Sequence, residues 1–344
     1  MSSWANIRIP RKRDISQIPA DLRPTLQPRA ERFEVIQSES FQNVPQDTSP
    51  FSNSIIEPFG NSKSKKEISV PNPREYISKK IDVVPAAGAF ELSFQGKSYV
   101  FVILRHLRTP KDNDLWISSY NSIRRFYKNK IVIIDDNSQV NTINGRLYET
   151  EIIQSEFPGA GEILPYYYFL ERKWADSMIF LHDSMFLNRP FHDDELDHSV
   201  RFHWHFTSNS ADDKRKINLY LSSLQNNNEL LEFYQNSSSR WKGCSGGATI
   251  IDYDTTLLLE TKYKIFNVLT MVIKRRKDRE AFERVLGILA FYEGLVNEQT
   301  VSNFGDIFGY PGAFESEHTN PETASHIVKQ RGYNTAILKV WRGR

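Results

Sequence analysis

The sequence predicts an α/β fold, a Rossmann-type mixed sheet flanked by helices, following a largely disordered amino-terminal segment. Three observations predict it. Wholly apolar runs of strand length recur at residues 99–104, 131–134 and 178–181, as expected of strands covered on both faces. Segments with helical spacing lie between them. Each run ends in polar residues, so Arg105 and His106, Asp135 and Asp136, and Asp183 fall at the carboxyl ends of strands, where open α/β sheets bind ligands.

Composition narrows the function classes. The 344 residues carry 44 basic and 42 acidic side chains, a net charge of +2, which gives no global electrostatic case for a nucleic-acid or membrane partner. The single cysteine, Cys244, excludes an intrachain disulfide and favours a reducing compartment. There is no apolar run of about 18 residues and no signal-peptide core near the start, so the expectation is a soluble, cytoplasmic protein with no transmembrane segment. Residues 1–75 hold nine of the sixteen prolines and sustain no apolar period. Such a segment buries too little to offset its ordering entropy. Its basic run, Arg11-Lys12-Arg13, reads as a solvated cluster.

Order begins near Tyr76. Residues 90–94 and 99–104 surround Gln95-Gly96-Lys97 as a hairpin. From 115 to 127, Leu115, Trp116, Ser119, Ile123, Phe126 and Tyr127 keep helical spacing, and the strand ending at Asp135 follows. This is a βαβ unit with a right-handed crossover. Its strands are parallel, so Arg105-His106 and Asp135-Asp136 emerge on one edge. Adjacent carboxylates there can accept hydrogen bonds from a base N–H and a ribose hydroxyl; the alternative is a solvated Asp-Asn-Ser turn.

A third strand is expected at 147–153. The loop Gly159-Ala160-Gly161 then opens a helix at about 163–174, with Glu162 and Pro165 suited to its start. The strand 178–181 delivers His182-Asp183-Ser184 to the same edge. There Asp183 can hold Mg²⁺ or Mn²⁺ against a diphosphate, or cap a turn.

Later stretches say less. Residues 201–206 alternate, which sets His203 and His205 on one face; a zinc site would need a third ligand that the neighbouring sequence lacks. Residues 214–234 read as one polar helix. Trp241 can stack on a sugar or fill the core. Cys244 has no partnering histidine motif that would make it a nucleophile. In the basic run 274–277 and just beyond, Arg275 and Arg279 are the phosphate candidates. Phe282, Val285, Leu286, Leu289 and Tyr292 keep helical spacing that leaves Glu283 on another face. A glycine-rich aromatic loop at 303–314 can fold over a ligand, and 335–341 reads as a final strand or tail.

The order of these parts resembles family-2-like glycosyltransferases with the GT-A fold. Asp135-Asp136-Asn137-Ser138 resembles that family's Asp-Asp-Gly-Ser, and the Gly159-Ala160-Gly161 loop its glycine-rich segment. His182-Asp183-Ser184 sits where the family carries Asp-x-Asp. Cys244-Ser245-Gly246-Gly247 resembles its Gly-Gly strand entry, and Glu283-Arg284 stands at its acidic Glu-Asp pair. The departures are one carboxylate in the metal motif and one in the acidic pair, for which Asp278 or Glu280 can substitute.

The resemblance implies one GT-A-like domain over 76–344, its nucleotide-binding half at about 97–190 and its acceptor half at about 191–315. It implies inverting, metal-assisted transfer from a nucleotide-diphospho-sugar to a glycan or other hydroxyl acceptor. Glu283 or Asp278 would be the base, and Asp183 the ligand of Mn²⁺ or Mg²⁺. The donor would lie on Leu104, Arg105, His106, Asp135, Asp136, Gly161, Asp183, Gly246 and Gly247. The alternative is a catalytically inactive nucleotide-binding module that kept this fold.

Overall fold

Nine consecutive residues of mostly branched and aromatic side chains form the central strand, and the rest of the sheet is assembled around it. The computed structural model describes residues 81–108, 110–138, 145–207, 211–236, 240–311 and 321–340. The expectations for residues 1–75 and for the run Arg11 to Arg13 lie outside them. The strands are β1 (Ile81–Val83), β2 (Ser93–Phe94), β3 (Lys97–Arg105), β4 (Ile131–Asp135), β5 (Gly145–Leu147), β6 (Thr150–Gln154), β7 (Ser177–His182), β8 (Met185–Leu187), β9 (Val200–Phe202), β10 (His205–Phe206), β11 (Gly243–Cys244), β12 (Thr249–Asp252) and β13 (Ile337–Lys339). The helices are α1 (Pro110–Arg124), α2 (Leu164–Arg172), α3 (Asp193–Leu196), α4 (Ala211–Ser223), α5 (Asn228–Asn236), α6 (Tyr253–Tyr263), α7 (Ile265–Val272), α8 (Arg276–Tyr292) and α9 (Pro321–Gln330).

The main sheet runs β6-β4-β3-β7-β12-β9, with β2 hairpinned onto β3. Strands β6, β4, β3 and β7 are parallel, whereas β12 is antiparallel to both β7 and β9. Val100 to Ile103, Ile131 to Ile134 and Met178 to Leu181 are fully buried, so the apolar runs mark strands with no solvent face. In register, Leu104 lies opposite both Ile134 and His182, and Arg105 opposite Asp135. The polar ends of three parallel strands therefore share one edge. The sequence-predicted mixed α/β sheet is the architecture found.

Buried polar anchors lock this half. Asn129 accepts from the Leu92 N–H at 2.7 Å and donates to the carbonyls of Leu92 and Tyr99. Arg124 donates to the carbonyls of Asn129 and Tyr148 and stacks on the Tyr120 ring. Both side chains satisfy backbone groups that the sheet leaves open.

Several elements break where a single one was expected. The strand at 147–153 is two: β5 leaves the main sheet for β1, and a turn at Tyr148-Glu149, with Glu149 at φ +39°, leads into β6. The glycine loop enters α2 through a 3-10 turn at Gly161–Ile163. The run 201–206 bends at His203-Trp204, so β9 stays in the main sheet while β10 pairs with β11. His203 and Trp204 are both buried, and the His203 ring bonds the Phe180 carbonyl. The helix at 214–234 is split into α4 and α5 by Asn226, whose left-handed φ of +52° ends a helical run. No described helix is long and apolar enough to cross a membrane.

Candidate functional site

A cleft of about 360 Å³ opens at the carboxyl edge of the parallel strands. Leu104, Arg105 and His106 reach it from the end of β3, Asp136 from β4 and His182 and Asp183 from β7. Gly161 and Glu162 come from the glycine loop, Gly246 from the entry to β12, Glu283 from α8 and Lys339 from β13. Of the sequence-predicted residues, Leu104, Arg105, His106, Asp136, Gly161, Asp183, Gly246 and Glu283 line this one cleft; Asp135, Gly247 and Asp278 do not.

The two adjacent aspartates do different things. Asp135 accepts a 2.8 Å bond from Arg105 Nε, both side chains being at most 1% exposed, and its other oxygen takes the Ser138 N–H. Arg105 also stacks over Trp116, 4.8 Å from the ring centroid. Burial lowers the Arg105 pKa, and Asp135 opposes that shift. Asp136, the first residue beyond β4, has different partners. Its oxygens accept the N–H groups of Gly159 at 2.6 Å and Gly161 at 3.0 Å. Burial raises its pKa, while these two donors and the nearby His106 and Arg279 side chains pull it down. The clamp requires glycine: Gly159 sits at φ +83°, and a β-carbon there would come within 2.4 Å of the Lys274 carbonyl oxygen.

Asp183 is buried, lines the cleft and ties its N–H to the Leu104 carbonyl at 3.0 Å. His182 donates through Nε2 to the Gly246 carbonyl at 2.7 Å, since that oxygen can only accept. Gly246 is left-handed at φ +66°, and a β-carbon would stand 2.8 Å from His182 Nε2. Its own N–H faces Glu283 closely enough to favour that carboxyl's ionised form. Gly247, one residue on, gives its carbonyl to the Tyr166 hydroxyl and packs behind Glu162.

Glu283 is a strongly perturbed acid of the cleft. Burial, followed by the neighbouring Glu162, pushes its pKa up to about 8, against the pull of Lys339 and the Gly246 N–H. Glu162 is likewise raised by burial, and it pairs with Arg279 at 2.9 Å. Asp278 serves the start of α8 instead, accepting the N–H groups of Lys274 and Arg275 and pairing with Lys216. Burial alone would raise its pKa, but Lys216 and the two donors hold it below the usual value. Glu280 lines the cleft edge and pairs with Arg276 and Lys277.

Sequence reasoning missed Lys339 and the turn of Glu162 into the cleft. The signal for Lys339 was available, as the one cation inside the apolar run Ile337-Leu338-Lys339-Val340. Of the basic candidates, Arg279 lines the cleft and Arg275 does not. Trp241 is core, packed 5.9 Å from Tyr234, and Cys244 is sealed beneath the cleft with its thiol pKa raised by burial and then by Glu283. Ile307 and Phe308 of the aromatic loop reach the cleft.

No group of three metal-ligating side chains converges among the described residues. Mg²⁺ is commonly held by one or two carboxylates together with substrate phosphates, and Asp183 fits the part of the single carboxylate.

No family model and no curated protein matches the chain. Solved structures similar to it include S. aureus TarS 1-349, at 12% identity and TM-score 0.27 over 55% of each chain, so the match spans about half the length of that chain. Core-mannan synthase A (CmsA/Ktr4) from Aspergillus fumigatus in its Mn/GDP form is 12% identical over 63% of this chain and 74% of that one, with TM-score 0.34. The mannosyltransferase Ktr4p from S. cerevisiae is 10% identical over 62% and 73%, also at TM-score 0.34.

Proposed function

We propose that the chain is a glycosyltransferase that moves a sugar from a nucleotide-diphosphate donor to an acceptor hydroxyl with inversion. One observation carries the reading: residues between Leu104 and Glu283, far apart in sequence, line a single cleft at the sheet edge where α/β folds take nucleotides, with the Glu283 carboxyl in its wall.

Glu283 is the general base. It takes the acceptor hydroxyl proton as that oxygen attacks the anomeric carbon. The bond from that carbon to the diphosphate breaks, and the electron pair leaves with the phosphate oxygen. The Gly246 N–H favours the ionised carboxylate, and His182 holds the Gly246 carbonyl. His106 and Asp136 form the edge for base and ribose, with the Asp135–Arg105 pair beneath them as support. Asp183 would hold Mn²⁺ or Mg²⁺, which when bound supplies Lewis-acid stabilisation to the diphosphate.

A second reading, a nucleotide-binding module without catalysis, is favoured by one specific fact: with a pKa of about 8, Glu283 is mostly protonated at neutral pH. A panel of nucleotide sugars assayed with Mn²⁺ between pH 7 and 9 separates the two. Transfer that Glu283→Gln abolishes while nucleotide diphosphate still binds supports the enzyme; binding without transfer at any pH supports the module. No binding and no turnover with any donor would overturn both.

A further inference from the structure

Six cationic side chains line the cleft, and four are matched to carboxylates. Arg105 pairs with Asp135 at 2.8 Å, Arg276 with Glu280 at 3.0 Å, Arg279 with Glu162 at 2.9 Å and Arg284 with Asp213 at 2.9 Å. Lys339 differs from these. Among the described residues it makes no ion pair, although it is only partly exposed and the carboxylates of Glu283 and Glu162 lie within electrostatic reach. Its Nζ stands 6.0 Å from the Trp204 ring centroid. Of the six, Arg108 also makes no ion pair among the described residues, and it is exposed.

The position of Lys339 is fixed by backbone on both sides. Strand β13 pairs antiparallel with β8, placing Lys339 opposite Met185 immediately after the His182-Asp183-Ser184 turn. The Lys339 N–H donates to the Tyr310 hydroxyl at 3.0 Å, and the Val340 N–H to the Ser184 carbonyl at 3.0 Å. Ile337, Leu338 and Val340 around it are buried in the core, and Lys339 itself lines the cleft.

An ammonium withdrawn from water and lacking a matched carboxylate is unfavourable until an anion meets it. Burial accordingly lowers the Lys339 pKa, with Glu283 and Glu162 opposing. A multiply charged phosphate that also reaches the neighbouring arginines meets this requirement.

We infer that Lys339 is an anion-binding residue of this cleft that takes the diphosphate of the nucleotide donor, an assignment that rests on the glycosyltransferase reading for the identity of the ligand. In that role its ammonium donates to the phosphate oxygen that receives the electron pair as the sugar leaves, while the acceptor proton goes to Glu283.

The test is calorimetric titration of inorganic pyrophosphate, UDP and GDP into the full chain with Mg²⁺ present, comparing wild type, Lys339→Met and Lys339→Arg. Pyrophosphate and at least one nucleoside diphosphate should bind the wild type. Lys339→Met should weaken both by about tenfold or more, the worth of one charge-assisted hydrogen bond. Lys339→Arg should restore most of the loss, which a purely structural role would not predict, and thermal melts establish that each variant is folded. Equal nucleoside diphosphate affinity in Lys339→Met and wild type overturns the assignment and leaves the donor reading standing. Lysine-dependent binding of pyrophosphate without any nucleoside diphosphate binding supports the anion site and overturns the donor reading. If the wild type binds none of the three probes, both fall.

Discussion

At Glu283 the chemistry and the stability of the protein pull in opposite directions. A carboxyl that titrates at about 8 in the folded chain, against 4.5 as its ordinary value, binds its proton more tightly folded than unfolded. The stability linked to that proton is therefore complete below about pH 4.5 and is lost as pH rises through 8. Glu283→Gln should melt higher than wild type at pH 9 and close to it at pH 5, which paired thermal melts check. A base needs the ionised form, so transfer should climb between pH 7 and 9 with a midpoint near 8, read from the pH profile of kcat/KM, which reports the free enzyme. The same substitution should cost about 10²–10⁴ in rate, the usual worth of a general base, with nucleotide diphosphate affinity retained. An enzyme whose rate is flat across this range, or unchanged in Glu283→Gln, would remove Glu283 from the mechanism.

Among the elements, α8 matters most because it carries that carboxylate. It lies so close to β11 that a β-carbon on Gly287 would meet the Lys242 carbonyl oxygen at 2.1 Å, backbone against backbone. Gly287→Ala must push the helix outward, with a loss of about 1–3 kcal/mol as in other overpacked cores, and the displaced Glu283 should lower kcat more than it alters donor affinity. Denaturant titration and steady-state kinetics measure the two effects. The hairpin end of the sheet has its own keystone. Asn129→Ala would strip partners from three buried backbone groups of Leu92 and Tyr99, at a cost of about 1–3 kcal/mol, and this far from the cleft it should leave the pH profile unchanged. Helix breaks were harder to foresee than helix existence. Ile217, Leu221, Leu224 and Leu230 keep an apolar rhythm through the turn at Asn226 because both α4 and α5 pack on the same core, so the spacing survives where the helix does not.

At the scale of the molecule, the main sheet was legible because β3, β4 and β7 are buried on both faces and write their positions as uninterrupted apolar runs. The parallel order of those strands brought Arg105, Asp136 and Asp183 to one edge by a general rule of handedness. What could not be read was which polar side chains turn inward. Asp135 and Asp136 look alike in the sequence, and only the depth of Arg105 under Trp116 makes the first a support and the second a cleft residue. Lys339 enters from more than 150 residues beyond Asp183, through a strand pairing that no local pattern announces. The bend at His203-Trp204 was hidden by the same alternation that suggested a continuous strand.

The burial of Cys244 supplies a built-in reporter. As the sole thiol in the sequence, sealed under the cleft beside Glu283 with its ionisation suppressed, it should stay dark to an alkylating dye until that floor opens. Because labelling needs an accessible thiolate, the modification rate in native buffer, followed by intact mass, becomes a clock for local breathing. A ligand seated in the cleft should slow that clock, and rapid labelling of the folded chain would mean that the floor is not closed.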